Sequence, residues 1–347
     1  MPITVRNADL EVDQEIILRT LSKNLPSISD SLDRFNWLYK QNPAGSAQAW
    51  LAIDSGTRSC IGVAAAFPRH MLLKGCPETA WVLGDFCLDK PYRSLGPALM
   101  LQRKCLEGIT SGAVSFFYDF PSQSMMKVYH RLGIGPFAKI IRFAKPLRLD
   151  RKVEGFVTNR VFAKFLSKCG NFLIKSLNRK LVVPESLKII HHYGPFDIEF
   201  SKLADEIASS YGVCVVRSAE YLNWRYRDNP LYEYEVLAAY QGVGLVGYLI
   251  YRKDGDYATL VDVFALRDPA IIGCLLQGMV KGLYSSGGVS VSAPVVEDHF
   301  LGEMLRHHGF IERETVSLVV YGLERLPARD DLAKCAKWFI MEGDRDS

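Results

Sequence analysis

The octapeptide NWLYKQNP at Asn36–Pro43 returns 187 residues later as NWRYRDNP at Asn223–Pro230. Both copies share the pattern Asn-Trp-x-Tyr-(Lys/Arg)-x-Asn-Pro, and a match of this length indicates an internal duplication. Each copy leads into a strand-like run, a glycine and a second strand. An aspartate within an apolar strand follows, Asp85 in the first half and Asp262 in the second. The sequence therefore predicts one scaffold used twice.

Length and composition set the class of protein. With 347 residues, 48% hydrophobic and 23% charged, the chain has room for two globular domains of ordinary size. It has no run of about 18 apolar residues. The start, MPITVR, lacks the charged-then-apolar pattern of a signal peptide. We therefore expect a cytoplasmic protein.

Cysteine and histidine placement argues against a metal. The eight cysteines are scattered without a Cys-x-x-Cys pair, which is typical of buried thiols in a reducing compartment. The two histidine pairs, His191-His192 and His307-His308, are adjacent residues, and adjacent strand residues point to opposite faces. The sequence predicts no metal site.

The order of elements predicts an α/β fold. In each half, several strands are followed by a strand-helix-strand-helix-strand run, which favours a mixed α+β sheet with helices on its faces. The GVGLVG run at 242–247 joins two predicted strands and is interpreted as a hairpin turn, not a dinucleotide loop. The predicted parts are a first domain at 1–147, a linker at 148–182, a second domain at 183–330 and a tail at 331–347, whose acidic end we expect to be frayed.

The linker is strongly basic. Twelve Lys or Arg lie between Lys139 and Lys180, against Asp150 and Glu154. Residues 156–180 have apolar side chains at helical spacing, with lysines on much of the remainder. Such a helix either covers part of the fold or makes a peripheral contact with an anionic membrane surface or partner. Nothing in the sequence indicates DNA binding or decides the oligomeric state.

One local motif carries chemistry. The run DFCLDKPYRSLGPA at 85–98 joins a strand to a helix, and its Arg-x-x-Gly-x-Ala turn directs backbone N–H groups and a positive helix N-terminus into one cavity. Gly96 permits close approach of a ligand, and Pro97 in the first turn loses only an unbonded donor. This arrangement suits a pyrophosphate.

With this motif the chain resembles the GCN5-related N-acetyltransferase (GNAT) family, whose acyl-CoA loop reads (Arg/Gln)-x-x-Gly-x-(Gly/Ala) at the same junction. The run FPSQSMMKVYHRLG at 120–133 is similar to the second family signature, a helix that ends in Tyr-x-x-x-Gly. The resemblance covers residues 1–147 well and 183–322 as a weaker copy. The octapeptide is also similar to that of tandem GNAT-like proteins found with bacterial polysaccharide biosynthesis.

The resemblance implies roles for named residues. The CoA pyrophosphate would bind Arg93, Ser94, Leu95, Gly96, Pro97 and Ala98, and the pantetheine amides would pair with the strand at Cys87 and Leu88. Ser122 stands where the family often has asparagine as a further CoA contact. Tyr129 would be the general acid near the sulfur, and Asp85 and Asp119 are candidates for the general base. Each of the three also has a structural interpretation. Tyr129 would be a core tyrosine, Asp85 a structural aspartate that is repeated as Asp262, and Asp119 a cap at the end of a strand.

The second half departs from the family pattern. LRDPAIIG at 266–273 stands where the phosphate loop belongs, without the required glycine and with an acidic residue toward the expected phosphates. Acyl-CoA binding is therefore predicted in the first half only. Because the octapeptide persists in both halves, packing is its favoured role.

The resemblance implies an enzyme that moves an acetyl or other acyl group from acyl-CoA to a primary amine. The acceptor would be a small molecule, an amino sugar or amino acid, or a peptide. Two alternatives stay open: an aminoacyl-tRNA-dependent transferase of the peptidoglycan-bridge type, whose RNA the basic linker would contact, and a non-catalytic GNAT-like binding protein or scaffold.

Overall fold

The computed structural model describes residues 2–25, 32–148, 184, 186–326 and 332–345. The strands are β1 (Ile3–Asn7), β2 (Gln48–Asp54), β3 (Cys60–Leu73), β4 (Cys76–Leu88), β5 (Phe116–Asp119), β6 (Ala138–Pro146), β7 (Leu187–His191), β8 (Val213–Val215), β9 (Glu235–Gln241), β10 (Gly244–Asp254), β11 (Tyr257–Ala265), β12 (Ser290–Val296), β13 (Ile311–Tyr321) and β14 (Trp338–Phe339). The helices are α1 (Gln14–Asn24), α2 (Leu32–Phe35), α3 (Leu95–Thr110), α4 (Gln123–Arg131), α5 (Ile198–Tyr211), α6 (Ala219–Leu222), α7 (Pro269–Ser285) and α8 (Phe300–His307).

The strands form one mixed sheet, and this confirms the predicted α/β class. Its main order is β1-β2-β3-β4-β5-β13-β6-β12-β11-β10-β9-β7, with β8 and β14 attached beside β3. Strand β3, the third in this order, is buried along most of its length, as expected for a strand covered on both faces. The run at 242–247 is the predicted hairpin turn, because β9 and β10 pair antiparallel across it.

The two halves exchange strands at the centre of the sheet. The fifth strand of the first half, β5, pairs with β13 from the second half, while β12 of the second half pairs with β6 from the first. Strands β6 and β13 also pair with each other. The predicted boundaries at 147 and 183 therefore follow chain order but do not separate two independent sheets.

The octapeptides form matching π-helical turns at Asn36–Lys40 and Asn223–Arg227. Each turn is closed by a bond across five residues, Gln41 N–H to Asn36 O and Asp228 N–H to Asn223 O, both at 2.9 Å. Their tryptophans, Trp37 and Trp224, are buried and stack on each other. The repeat therefore has the packing role that the sequence favours.

The C-terminal segment corrects one expectation. Over the described residues 332–345 it is not frayed: β14 pairs with β8, and Trp338 is fully buried. Asp344 is also fully buried and accepts hydrogen bonds from Arg217. A buried guanidinium needs a counter-charge, and the tail supplies one.

The basic helix predicted at 156–180 lies outside the described residues. In the part of the chain that is described, no helix is long and apolar enough to cross a membrane.

Candidate functional site

Strands β4 and β5 diverge in the first half. Their parallel pairing in the described chain is confined to Ala80–Val82 against Phe116–Tyr118, although β4 runs on to Leu88. On its other side, β4 shifts register against β3 between Val63 and Ala65. The gap between β4 and β5 leaves the edge of β4 open to a ligand.

Leu88 presents polar backbone groups to this gap. The next residue, Asp89, donates its N–H to Ile61 O of β3 at 2.7 Å. Because bonding directions alternate along an antiparallel strand, the N–H and C=O of Leu88 point away from β3. The same alternation turns the backbone of Cys87 toward β3. The backbone of Cys87 therefore faces β3, not the gap, which argues against it as a pantetheine contact, and the contact at Leu88 stays a prediction.

Cys87 is also a poor candidate for chemistry. Its side chain is buried, and burial raises the pKa of its thiol to about 12. A thiol in that state is neutral and unreactive.

The predicted phosphate loop forms the start of α3. Ser94 is the N-cap residue in an extended conformation, and its side chain makes no capping hydrogen bond. The N–H groups of Leu95 and Gly96 have no hydrogen-bond acceptor within the helix, because the N–H groups in the first turn of any helix have no carbonyl before them to bond. A Cβ atom placed on Gly96 would meet no atom of the described chain within 4 Å. Residues 93–96 are exposed, while Pro97 and Ala98 pack into the core.

Tyr129 and Asp119 lie together at the point where β4 and β5 separate. The Tyr129 hydroxyl donates to Asp119 Oδ2 at 2.5 Å and accepts from Gln102 Nε2 at 3.2 Å. Asp119 is the last residue of β5 and is half-buried, whereas Tyr129 is fully buried. Helix α4 carries Tyr129, and α3 carries Gln102, so the loop helix also orients the tyrosine.

The environment keeps Tyr129 protonated. Burial, and then the negative charge and hydrogen bond of Asp119, raise the pKa of its hydroxyl well above the usual value. The phenol is therefore neutral and keeps a hydroxyl proton that it can donate, and the neighbouring carboxylate can accept one. The pair therefore joins a candidate acid to a candidate base.

Comparison with known proteins uses structure alone, because no protein-family model and no curated protein sequence matches the chain. A "Probable N-Acyltransferase" from Enterococcus faecalis V583 has a TM-score of 0.65 at 12% identity, covering 92% of this chain and 72% of its own. A GCN5-related N-acetyltransferase from Anabaena variabilis gives 0.64 at 14% identity with the same coverage. The Saccharomyces cerevisiae N-myristoyltransferase with bound myristoyl-CoA gives 0.59 at 11%, covering 93% and 80%.

The chain has the GNAT fold. These comparisons span both halves, and they agree with the fold that the two sequence motifs imply.

Asp85 has a geometry unsuited to a general base. Its carboxylate accepts two hydrogen bonds from Arg34, each at 2.8 Å, and one from Tyr39 at 2.7 Å. The side chain is fully buried. Asp85 also lies in the left-handed region, φ 48°, at the point where β4 changes register. We assign it the structural role, which the second half repeats: Asp262 accepts from Arg217 and from Tyr226 of the other octapeptide.

Ser122 is the N-cap residue of α4. Its Oγ accepts the N–H of Met125 at 3.2 Å, and the residue is exposed. It starts the helix that carries Tyr129, and its place beside a CoA molecule stays a prediction.

The second half lacks the equivalent site. Asp268 caps α7, and its carboxylate accepts the N–H of Ala270 at 2.8 Å, so an acidic group occupies the place that an anion would take. Leu305, four residues before Gly309, stands in the position of Tyr129 before Gly133. The halves share a scaffold, and the candidate site belongs to the first.

Sequence reasoning missed Gln102, Asn24 and Arg34. For Gln102 a signal existed, because it lies beside Leu101 on the face of α3 that also buries Ala98 and Cys105, and a polar residue there needs a partner. No local pattern marked Asn24 or Arg34. Among the residues that the structure describes, no cluster of His, Cys, Asp or Glu could hold a metal ion.

Proposed function

We propose that this protein is an N-acyltransferase that moves an acyl group from acyl-CoA to a primary amine. The observation that carries the proposal is the hydrogen-bonded Asp119–Tyr129 pair where β4 and β5 separate, together with the uncapped N-terminus of the helix that follows β4. The structural neighbours, which include N-acetyltransferases and an N-myristoyltransferase, support acyl transfer as the reaction type.

The described residues fit an acyl-CoA donor. The N–H groups of Leu95 and Gly96 suit the pyrophosphate, because a helix N-terminus offers donors and partial positive charge to an anion. The exposed Arg93 adds a full positive charge beside them. The backbone N–H of Leu88 suits the carbonyl of a pantetheine amide, as in strand addition, while the Leu88 carbonyl accepts the Nε–H of Arg93.

Asp119 and Tyr129 then have complementary roles. The amine attacks the thioester carbonyl, a C–N bond forms, and the C–S bond breaks with its electron pair on sulfur. Asp119 accepts a proton from the attacking nitrogen, and Tyr129 gives its hydroxyl proton to the sulfur. The proton on Asp119 passes along the 2.5 Å hydrogen bond to Tyr129, and both side chains return to their starting states.

The acceptor is an amine of the amino sugar, amino acid or peptide class, and acetyl is the first acyl group to test. We place the donor in the first half only, because Asp268 closes the corresponding helix of the second half. One acyl-CoA molecule per chain is therefore expected.

Isothermal titration of acetyl-CoA tests the donor site. Wild type should bind one molecule per chain, and Gly96→Glu should weaken binding at least about tenfold, since it adds an acid to the anion site. The added side chain meets open space, so the fold should persist. Gly194→Glu, which adds the same charge at an exposed glycine of the second half, should bind like wild type.

Release of free CoA thiol with glucosamine, amino acids and short peptides as acceptors tests the transfer. Absence of binding by wild type at millimolar acetyl-CoA would remove the proposal. Binding without transfer to any of these amines would reduce the protein to an acyl-CoA-binding module.

A further inference from the structure

The side chain of Arg93 is held in place although it is exposed. Its Nε–H donates to Leu88 O at 2.9 Å, and Nη2 donates to Asn24 Oδ1 at 3.1 Å. Asn24 is the last residue of α1, a helix that precedes the loop by about 70 residues of sequence. A contact of this range indicates that α1 takes part in shaping the phosphate loop.

The orientation of the Asn24 amide is fixed by its other partners. Its Nδ2 donates to Thr20 O at 3.0 Å and to Asp89 Oδ1 at 2.8 Å. Both N–H bonds are thereby used on oxygen acceptors, so the carbonyl oxygen must face Arg93. The reverse orientation would set amide donors against a guanidinium, which has only donors.

Asp89 is neutralised where it would otherwise repel a phosphate. Its Oδ2 pairs with Lys23 Nζ at 2.6 Å, and its side chain is 12% exposed. Lys23 and Asn24 are consecutive at the end of α1, and both bind the same carboxylate. At the end of α1, Lys23 thus cancels the charge of Asp89, and Asn24 links Asp89 to Arg93.

Arg93 has further N–H groups besides those that bond Leu88 O and Asn24 Oδ1. These groups form no hydrogen bond within the described chain. They stand at the uncapped start of α3. We propose that Asn24 is a positioning residue that holds the Arg93 guanidinium ready for the pyrophosphate of acyl-CoA. The inference rests on the proposed function and adds a residue to its donor site.

The physical reason is side-chain entropy. A free arginine has to be ordered when it binds an anion, whereas an arginine already held at two points has less freedom to lose. Loss of the Asn24 contact should therefore weaken acyl-CoA binding about 3- to 10-fold without removing any group that touches the ligand.

Titration of acetyl-CoA against the full chain tests this with four proteins: wild type, Asn24→Leu, Arg93→Lys and the double variant. Asn24→Leu should raise Kd about 3- to 10-fold. Arg93→Lys keeps the charge but cannot span Leu88 O and Asn24 Oδ1 together. In that background the Asn24→Leu change should have no further effect.

A second probe separates positioning from general damage. S-acetylpantetheine lacks the pyrophosphate, so wild type and Asn24→Leu should bind it equally at millimolar concentration. If Asn24→Leu lowers the thermal unfolding midpoint, Asn24→Ser replaces it with the same expectations, because it also removes the amide that bonds Arg93 and Asp89.

The outcomes are distinct. No binding of acetyl-CoA by wild type overturns the proposed function and this inference together. Binding by wild type with an unchanged Kd for Asn24→Leu overturns the inference alone. Equal losses for both probes, or a full additional loss in the Arg93→Lys background, also overturn it, because either result makes Asn24 a purely structural residue.

Discussion

Trp37 and Trp224 each donate the indole N–H to the main-chain carbonyl of the other, at 2.7 and 2.9 Å. Their rings stack with centroids 5.1 Å apart. Each indole also faces a buried arginine, Arg225 over Trp37 and Arg69 over Trp224. The two copies of the octapeptide therefore bind each other, and together with the exchanged strands they make the two halves one structural unit.

Replacing Trp37 with phenylalanine should destabilise the whole protein. The change removes the indole donor and leaves the buried Trp224 carbonyl without that bond, which costs about 1–3 kcal/mol of the free energy of unfolding. Urea denaturation followed by circular dichroism measures the loss. Trp224→Phe should have a similar effect.

Trp50→Phe is the matched control. Trp50 is also buried and packs edge-on against Trp81, but its contact is made by the ring alone. If Trp37→Phe and Trp50→Phe lower the free energy of unfolding by the same amount, the reciprocal hydrogen bonds contribute no stability beyond that of ring packing.

Much of the fold could be predicted because its signals are local. The octapeptide, the hairpin at 242–247 and the strand-to-helix loop at 85–98 each depend on a few neighbouring residues. The exchange of β6 and β13 could not be predicted, since a strand pattern specifies which face is buried but not which of two similar edges it joins. The C-terminal segment was misread because a charged tail resembles a solvated end until Arg217 is placed beside Asp344.

Asp85→Asn should lower stability more than it lowers catalysis per folded molecule. The substitution removes the charge that pairs with the buried Arg34, and breaking such a pair costs about 3–5 kcal/mol. Thermal and urea unfolding give the stability. The transfer rate is then measured on the folded fraction.

Glu107→Gln provides the comparison for an exposed pair. Glu107 binds Lys104, and the two side chains are 59% and 36% exposed, so loss of this pair should cost about 1 kcal/mol or less. A stable Asp85→Asn protein with a strongly reduced transfer rate would contradict the structural role and restore Asp85 as the base.

Tyr129→Phe should slow transfer about 100-fold or more while acetyl-CoA affinity stays near the wild-type value. Phenylalanine keeps the ring against Phe117 and removes only the hydroxyl that Asp119 and Gln102 bind. Steady-state rates and titration separate kcat from binding.

Asp119→Asn should lower the transfer rate by a similar factor. The double variant Asp119→Asn/Tyr129→Phe should be only slightly slower than either single variant. The reason is that a proton path through both groups fails when either is removed. Losses that multiply in the double variant would show that the two residues act independently.

The candidate site could be predicted only where its residues are close in sequence. Arg93 to Ala98 were proposed from one turn, and Tyr129 from one helix end. Two of the partners that orient them come from elsewhere: Asn24 from α1, and Gln102 from the buried face of α3. Such contacts depend on tertiary packing, which no short pattern encodes.

Acid should destabilise the protein through His299. This residue is buried among Tyr211, Phe300 and Phe339, and its Nδ1 accepts the N–H of Leu301 as the N-cap of α8. Burial, and then the nearby Arg267 charge, lower its pKa from 6.5 to about 3. Between these two values the unfolded chain binds a proton that the folded protein excludes. The stabilisation is therefore complete above pH 6.5 and is lost as the pH falls toward 3, by up to about 1.4 kcal/mol for each pH unit.

His299→Asn removes this titration while keeping a good N-cap, because asparagine accepts the same backbone N–H and stays neutral. Urea unfolding at pH 7, 6, 5 and 4 should show a shallower decline in the free energy of unfolding for His299→Asn than for wild type. His70→Asn, a change at an exposed histidine, should keep the wild-type slope. Parallel declines in wild type and His299→Asn would mean that His299 takes up its proton in the folded state, and the neutral cap would then be wrong.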